Sequence, residues 1–347
     1  MTHTEQSVPG RWPVEKITSW YQAQPWLVGC NYLPRTAINP IEMWQAESFD
    51  PETIDQELGW AQHLGLNALR VYLHDLVWAI DPAGLLNRME RFLGMCAGHG
   101  IRPMFVFLDD CHRGSPRLGQ QPEPRPGVHN SGWTQGPGLD IVEAFGKRTL
   151  SYGERIRLQG YVQGVIRHFR DDPRVLLWDL YNEPGNQAML EKSIPLLRSA
   201  WEWAREVNPS QPLTTGANVH KRKSINAVHA ANADIMSFHC YNHDGPLANW
   251  ISAMREQGNG RPVLCTEYMA RTLGSEFSNY LPVFKQERIG CFNWGFVAGK
   301  SGTIWPWKSP EQTERAEPEV WFHDILRADG APYRQEEVDL IRRLTAR

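Results

Sequence analysis

No stretch of 18 consecutive apolar residues occurs in the 347-residue chain, so no transmembrane helix is expected. Basic blocks are missing too: 36 basic and 39 acidic residues, spread along the chain, leave a formal net charge of −3. A nucleic-acid partner or an anionic membrane surface would call for clustered positive charge, so neither is expected. Residues Met1 to Gln6 lack the basic stretch and apolar run of a secretory signal. None of the six cysteines (Cys30, Cys96, Cys111, Cys240, Cys265, Cys291) stands in a C-x-x-C pair. Cys30, Cys240, Cys265 and Cys291 fall inside apolar segments and are expected to be small, reduced core residues, not disulfide or zinc ligands. A cytoplasmic protein without cofactor or metal is the expectation.

What the chain does have is tryptophan, 15 residues in 347, and a regular alternation of short apolar runs with helix-period segments. Runs of four to eight apolar residues read as buried strands, and their alternation with helices predicts a parallel sheet. The predicted strands are Trp26–Tyr32, Asn67–Leu73, Met104–Leu108, Val175–Tyr181, Leu213–Gly216, Ile235–Tyr241, Val263–Tyr268 and Ile289–Phe296. Asp50-Pro51 and Asp81-Pro82 each pair an N-cap carboxylate with a first-turn proline and so start the helices after the first two strands. Eight units without a composition break predict one (β/α)8 barrel, an α/β fold, as a single domain over 1–347. The barrel core is expected at about 26–327, with an N-terminal extension over 1–25 and a C-terminal helix around Val338–Leu344. Between Cys111 and Leu139, glycine and proline replace the aliphatic periodicity; so long a loop in a compact domain is usually functional.

In such barrels the chemistry sits where strands end. Arg70 lies near the end of strand two, Asp109 and Asp110 end strand three, and Asn182-Glu183-Pro184 ends strand four. His239-Cys240-Tyr241 ends strand six, Thr266-Glu267 strand seven and Asn293-Trp294 strand eight. Glu183 and Glu267 are 267 − 183 = 84 residues apart, which is three units of about 28 residues, so both should face one mouth. Alternation puts His239 and Tyr241 on one strand face and turns Cys240 into the core.

With these motifs in this order, the chain resembles glycoside hydrolase clan A, and within it most resembles the cellulase-like family 5. The resemblance implies a retaining β-glycosidase with Glu183 as acid/base and Glu267 as nucleophile. It further implies that Arg70 keeps Glu267 ionised, Tyr241 donates to Glu267, and His239 touches Glu183. Asn182 would bind the sugar 2-hydroxyl, and Trp294 would lie under the ring. Many family 5 cellulases have a histidine near the end of strand three; here Leu108-Asp109-Asp110 stands instead. Asp109 could bind a sugar hydroxyl or pair with an arginine, and both readings stay open.

Sugar rings stack their C–H faces on aromatic rings. Tryptophans expected in loops or at strand ends are therefore candidate platforms: Trp44, Trp78, Trp133, Trp250, Trp294, Trp305 and Trp307. Trp60, Trp201 and Trp203 are expected to pack on helices. The Cys111–Leu139 loop would wall one end of the cleft, which favours an exo-acting enzyme on gluco-, manno- or xylo-configured β-linked oligosaccharides. The alternatives are an endo-acting β-1,4-glycanase, a transglycosylase and a non-catalytic carbohydrate-binding barrel.

Overall fold

The computed structural model describes residues 8–111, 115–216, 223–241, 246–311 and 314–346. Eight parallel strands form one sheet: β1 Val28–Tyr32, β2 Ala68–Tyr72, β3 Arg102–Asp109, β4 Trp178–Asn182, β5 Leu213–Gly216, β6 Met236–Cys240, β7 Val263–Tyr268 and β8 Gly290–Asn293. The order is β5-β4-β3-β2-β1-β8-β7-β6, so β1 and β8 pair and the sheet curls into a nearly closed (β/α)8 barrel. The remaining seam, between β5 and β6, is bridged by side chains as well as backbone. Ser237 Oγ donates to Thr215 O at 2.5 Å, Thr214 Oγ1 to Ile235 O at 2.8 Å, and Asp234 N to Leu213 O at 3.0 Å.

The two Asp-Pro starts behave as expected. Asp50 Oδ1 accepts from Thr53 N at 3.0 Å and Asp81 Oδ1 from Gly84 N at 2.9 Å, and the helices run Pro51–His63 and Pro82–Gly98. The expected strand four began too early. Val175, Leu176 and Leu177 are buried just ahead of β4, where Leu176 N donates to Pro103 O at 2.8 Å, and Leu176 and Leu177 join the cluster that fills the lower end of the barrel. Strand eight was expected to run too far: Gly295, at φ +77°, turns the chain just past Asn293. The short helices Val14–Gln22, Pro40–Trp44, Asp75–Ile80 and Leu139–Lys147 went unread. The first of them plugs the barrel's lower end, with Trp12 and Ile17 packed on Leu27, Ala68, Met104, Ile235, Leu264 and Phe292.

No helix among the described residues is long and apolar enough to cross a membrane. All six cysteines are free thiols.

Asp234 ties the plug, the seam and a helix together. Its carboxylate accepts from Trp12 N and Leu213 N, both at 2.8 Å, and pairs with both Arg205 terminal nitrogens at 2.9 Å. The carboxylate is fully buried and the guanidinium nearly so. Removing one partner of such a pair strands the other. Asp234→Ala should lower unfolding free energy by about 3–5 kcal/mol, read from urea denaturation. A loss below about 1 kcal/mol, the scale of a surface ion pair, would contradict this account.

Candidate active site

Arg70 stands at the centre of the mouth with none of its surface exposed. Its Nε and Nη2 donate to Asp179 Oδ2 at 3.0 and 2.8 Å, and Nη2 also donates to Asn182 Oδ1 at 2.6 Å. Nη1 reaches Asn31 Oδ1 at 2.8 Å, Tyr72 Oη at 2.6 Å and Glu267 Oε1 at 2.8 Å. Burial alone would lower the arginine's pKa, but Tyr72, Asp179 and Glu267 outweigh it and raise the value well above normal. The cation is permanent, and so is the charge it offers Glu267.

Glu267 collects hydroxyl donors besides. Tyr72 Oη lies 3.1 Å from Oε1 and Tyr241 Oη 2.7 Å from Oε2. Burial first, then the Glu267 charge, pushes the Tyr241 phenol well above its usual pKa, so it remains a donor. Glu183 has different company. His239 Nδ1 is 2.7 Å from its Oε1, Asn186 Nδ2 donates to Oε2 at 2.5 Å, and the Cys111 thiol donates to Oε2 at 3.4 Å. Burial first, and then Glu183, Asp109 and Glu267, hold that thiol well above its usual pKa, hence neutral. His239 Nδ1 also stands 3.3 Å from Glu267 Oε2, so one imidazole bridges the two carboxylates.

The strand ends are irregular at these residues. Register shifts interrupt β4–β5 between Asp179 and Asn182, β6–β7 between Phe238 and His239, and β7–β8 between Cys265 and Tyr268. Such irregularities re-aim side chains at a barrel rim. Glu183 itself has φ +42°, a left-handed conformation that costs a non-glycine residue roughly 1–3 kcal/mol and marks functional sites. The end of β5 crowds in from the side. A Cβ on Gly216 would stand 3.0 Å from Arg70 Nη2 and Asn182 Oδ1, and 3.1 Å from His239 Nε2.

Among the described residues, the partners of the Asp109 side chain are an amide, an indole and a backbone N–H. Its carboxylate accepts from Asn182 Nδ2 at 2.8 Å, Trp133 Nε1 at 2.8 Å and Cys111 N at 2.9 Å. It therefore fixes the Asn182 amide and the Trp133 indole. Trp133, Tyr72 and Trp294 meet as an aromatic wall, with ring centroids 5.0 Å (Tyr72–Trp133), 5.9 Å (Tyr72–Trp294) and 5.6 Å (Trp133–Trp294) apart.

Four expected platforms are corrected. Trp44 is fully buried behind the sheet on helix Pro40–Trp44, stacked on Phe49, with its indole donating to Tyr72 O. Trp250 stacks on Phe238 from its helix, and Trp78 packs against Tyr161. Trp305 is buried in the loop after β8, where its carbonyl holds His129 Nδ1 at 2.8 Å. The neighbouring Trp307, 37% exposed, is the one that faces Tyr241, with centroids 4.9 Å apart.

Sequence reasoning missed Asp179, Asn31, Tyr72 and Asn186. Asp179 left a signal: a charge inside the apolar run Val175–Tyr181 needs a buried partner, and Arg70 is one.

Glu183, His239 and Glu267 bring two oxygens and a nitrogen within 4.8 Å of one another, the size of a metal site. Arg70 already holds Glu267 at 2.8 Å, so a divalent cation would share that carboxylate with a fixed positive charge.

Residues 154–302, which include both glutamates, match the family described as "Glycosyl hydrolases family 2, TIM barrel domain". The match runs from the helix before β4 to the loop after β8, so this part of the chain is similar to a glycoside hydrolase barrel. In sequence it is 22% identical to a β-glucuronidase of Pongo abelii over 255 residues and 21% identical to that of Homo sapiens. Each match covers 70% of this chain and 31% of the relative, so the chain spans about a third of those proteins' length. In shape it is similar to GH5_18 from Streptomyces cattleya in complex with GlcNAc (TM-score 0.60, 11% identity, 92% of this chain and 80% of that one). It is also similar to an exo-β-1,4-mannosidase from Opitutaceae bacterium strain TAV5 (TM-score 0.58, 18% identity, 92% and 59%). The family 5 likeness is thus one of shape, while the sequence matches point to family 2.

Burial pushes the Asp109 carboxyl up to about 7, against the donors Asn182, Trp133 and Cys111 N that favour its ionised form. A carboxyl whose pKa is raised on folding stabilises the fold most below its unfolded pKa of about 3.9, and loses that contribution as pH rises through the folded value. Unfolding free energy should therefore decline between about pH 4 and pH 7 more steeply in the native chain than in Asp109→Asn. Denaturant midpoints measured across that window check it; parallel slopes would contradict it.

Proposed function

We propose that this chain is a retaining β-glycosidase in which Glu267 is the nucleophile and Glu183 the acid/base. The observation carrying the proposal is the short gap between the two carboxylates, whose facing atoms lie within 4.8 Å and are bridged by His239. Retaining enzymes keep their carboxyl groups about 5–5.5 Å apart, whereas inverting ones leave about 6.5–9.5 Å for a water.

Arg70, Tyr72 and Tyr241 keep Glu267 anionic and aimed, so its oxygen attacks the anomeric carbon while Glu183 gives its proton to the departing oxygen. The glycosyl-enzyme bond removes the charge on Glu267. Glu183, now ionised, then takes a proton from the incoming water, which displaces Glu267 with a second inversion. In this reading Asn182 gives the sugar 2-hydroxyl the Nδ2 hydrogen that now makes only a 3.4 Å contact to Cys111 Sγ, its other hydrogen going to Asp109 and its Oδ1 to Arg70. Trp294, with Trp133 and Tyr72, forms the wall on which the ring rests.

For substrate we favour short β-linked oligosaccharides of gluco, manno or xylo configuration, cut from one end. Support comes from the two loops that meet over one side of the mouth. Asn130 N donates to Ser301 O at 2.9 Å, and Gly302, at φ +66°, approaches so closely that a Cβ would stand 2.9 Å from Val128 O. The likeness in shape to an exo-β-1,4-mannosidase agrees with this preference. A second reading, cleavage of β-glucuronides, is favoured by the sequence relatives.

A panel of aryl β-mannosides, β-glucosides, β-xylosides and β-glucuronides separates these readings by which one turns over, with chelator leaving the rate unchanged. Glu267→Gly should abolish turnover on the active member and recover it with azide, giving the inverted azido sugar. Ordinary activity in that variant sinks the nucleophile assignment. Glu183→Ala should lose roughly 10²–10⁴-fold with poor leaving groups and little with 2,4-dinitrophenyl.

A further inference from the structure

The turn that carries Glu183 is strained well beyond that one residue. Glu183 (φ +42°), Gly185 (+82°), Gln187 (+49°), Ala188 (+64°) and Leu190 (+48°) all occupy the left-handed region. Four of these five lack glycine's freedom, and a segment of that kind holds a single shape only when its surroundings over-determine it.

The buried Asp110 side chain supplies that determination. Its Oδ1 accepts from Tyr181 Oη at 2.8 Å, and its Oδ2 accepts from Gly185 N at 2.6 Å and Ser193 Oγ at 2.5 Å. Its backbone N donates to Asn182 O at 3.3 Å. One residue at the end of β3 thus grips the chain on both sides of Glu183, together with the start of helix Ile194–Val207. Glu267 depends on a different set, Arg70, Tyr72 and Tyr241, none of which bonds Asp110 in the contacts above.

We propose that Asp110 is a positioning residue for the acid/base: its carboxylate holds the left-handed turn in the shape that aims Glu183 at the departing oxygen. The proposal rests on the reading of Glu183 as the acid/base. The chemistry of the acceptor matters more than its bulk. A carboxylate accepts at both oxygens, while an amide of the same size accepts at one and presents N–H groups at the other. In Asp110→Asn a donor must therefore face either the Tyr181 hydroxyl at one oxygen position or Gly185 N together with the Ser193 hydroxyl at the other. The hydroxyls can rotate away and the backbone N–H cannot.

The test compares kcat/KM for phenyl and 2,4-dinitrophenyl glycosides of whichever sugar the chain cleaves, in the full-length protein. Dinitrophenolate departs without a proton and phenolate needs one. Asp110→Asn should lose on the order of tenfold or more on the phenyl substrate and less than about threefold on the dinitrophenyl one, a weaker copy of the Glu183→Ala pattern. Ser193→Ala removes one donor and leaves the carboxylate, so it should show the same split, smaller; it carries the test if Asp110→Asn does not fold. Equal losses on both substrates, or none, in variants that melt cooperatively would overturn the positioning role. If Glu183→Ala splits the two substrates and neither Asp110→Asn nor Ser193→Ala does, the role of Asp110 alone falls. If Glu183→Ala shows no split, the acid/base reading falls and this proposal with it.

Discussion

A guanidinium sealed from water has to be satisfied by protein alone, and the mouth of this barrel is organised around doing so for Arg70. Isolated burial of a charge is prohibitive, so every hydrogen of such a group must find an acceptor. Here the acceptors come from four strands: Asn31 on β1, Tyr72 on β2, Asp179 and Asn182 on β4, and Glu267 on β7. Planarity then does the geometric work. The rigid fork of arginine fixes where each acceptor oxygen lies, so satisfying the cation also places the Glu267 carboxylate and the Asn182 amide.

The two carboxylates differ because their elements differ. Glu267 sits within β7, beside register shifts to both neighbouring strands, tied to a permanent cation and two phenols. Glu183 lies just past β4 on a left-handed turn, among an imidazole, an amide and a thiol. Different environments are how one site can give two identical side chains separate tasks. His239 couples the two, standing within hydrogen-bonding range of one carboxylate and close to the other. Behind them Asp109 and Asp110, adjacent in sequence, serve separate ends: Asp109 holds Asn182 and Trp133, and Asp110 holds the turn.

The order of strands was legible because a buried parallel strand must be apolar along its whole length. Leu213–Gly216 and Val263–Tyr268 were readable to the residue. The Asp-Pro starts were legible because capping is local. Errors arose where burial and secondary structure part company: Val175–Leu177 are buried without being strand, and Trp44 is buried on a short helix that a loop reading had exposed. The residues meeting at the mouth, Arg70, Glu183, His239, Tyr241, Glu267 and Trp294, could be picked out because each ends a strand. Their exact aim could not. It depends on register shifts between neighbouring strands and on the left-handed turn after β4, and neither leaves a periodic trace.

The abundance of tryptophan has two physical origins. Trp44, Trp178 and Trp201 fill the space between sheet and helices, while Trp133, Trp294 and Trp307 line the mouth. In the proposed function only the second group would meet a sugar. The central claim is that Glu267 bonds covalently to that sugar, and trapping tests it most directly. The chain would be incubated with the 2-deoxy-2-fluoro glycosyl fluoride of its preferred sugar, digested, and the labelled peptide sequenced by mass spectrometry. The account predicts one fluorosugar per chain, attached at Glu267. A label at Glu183, or an active enzyme that accumulates no label, would contradict it.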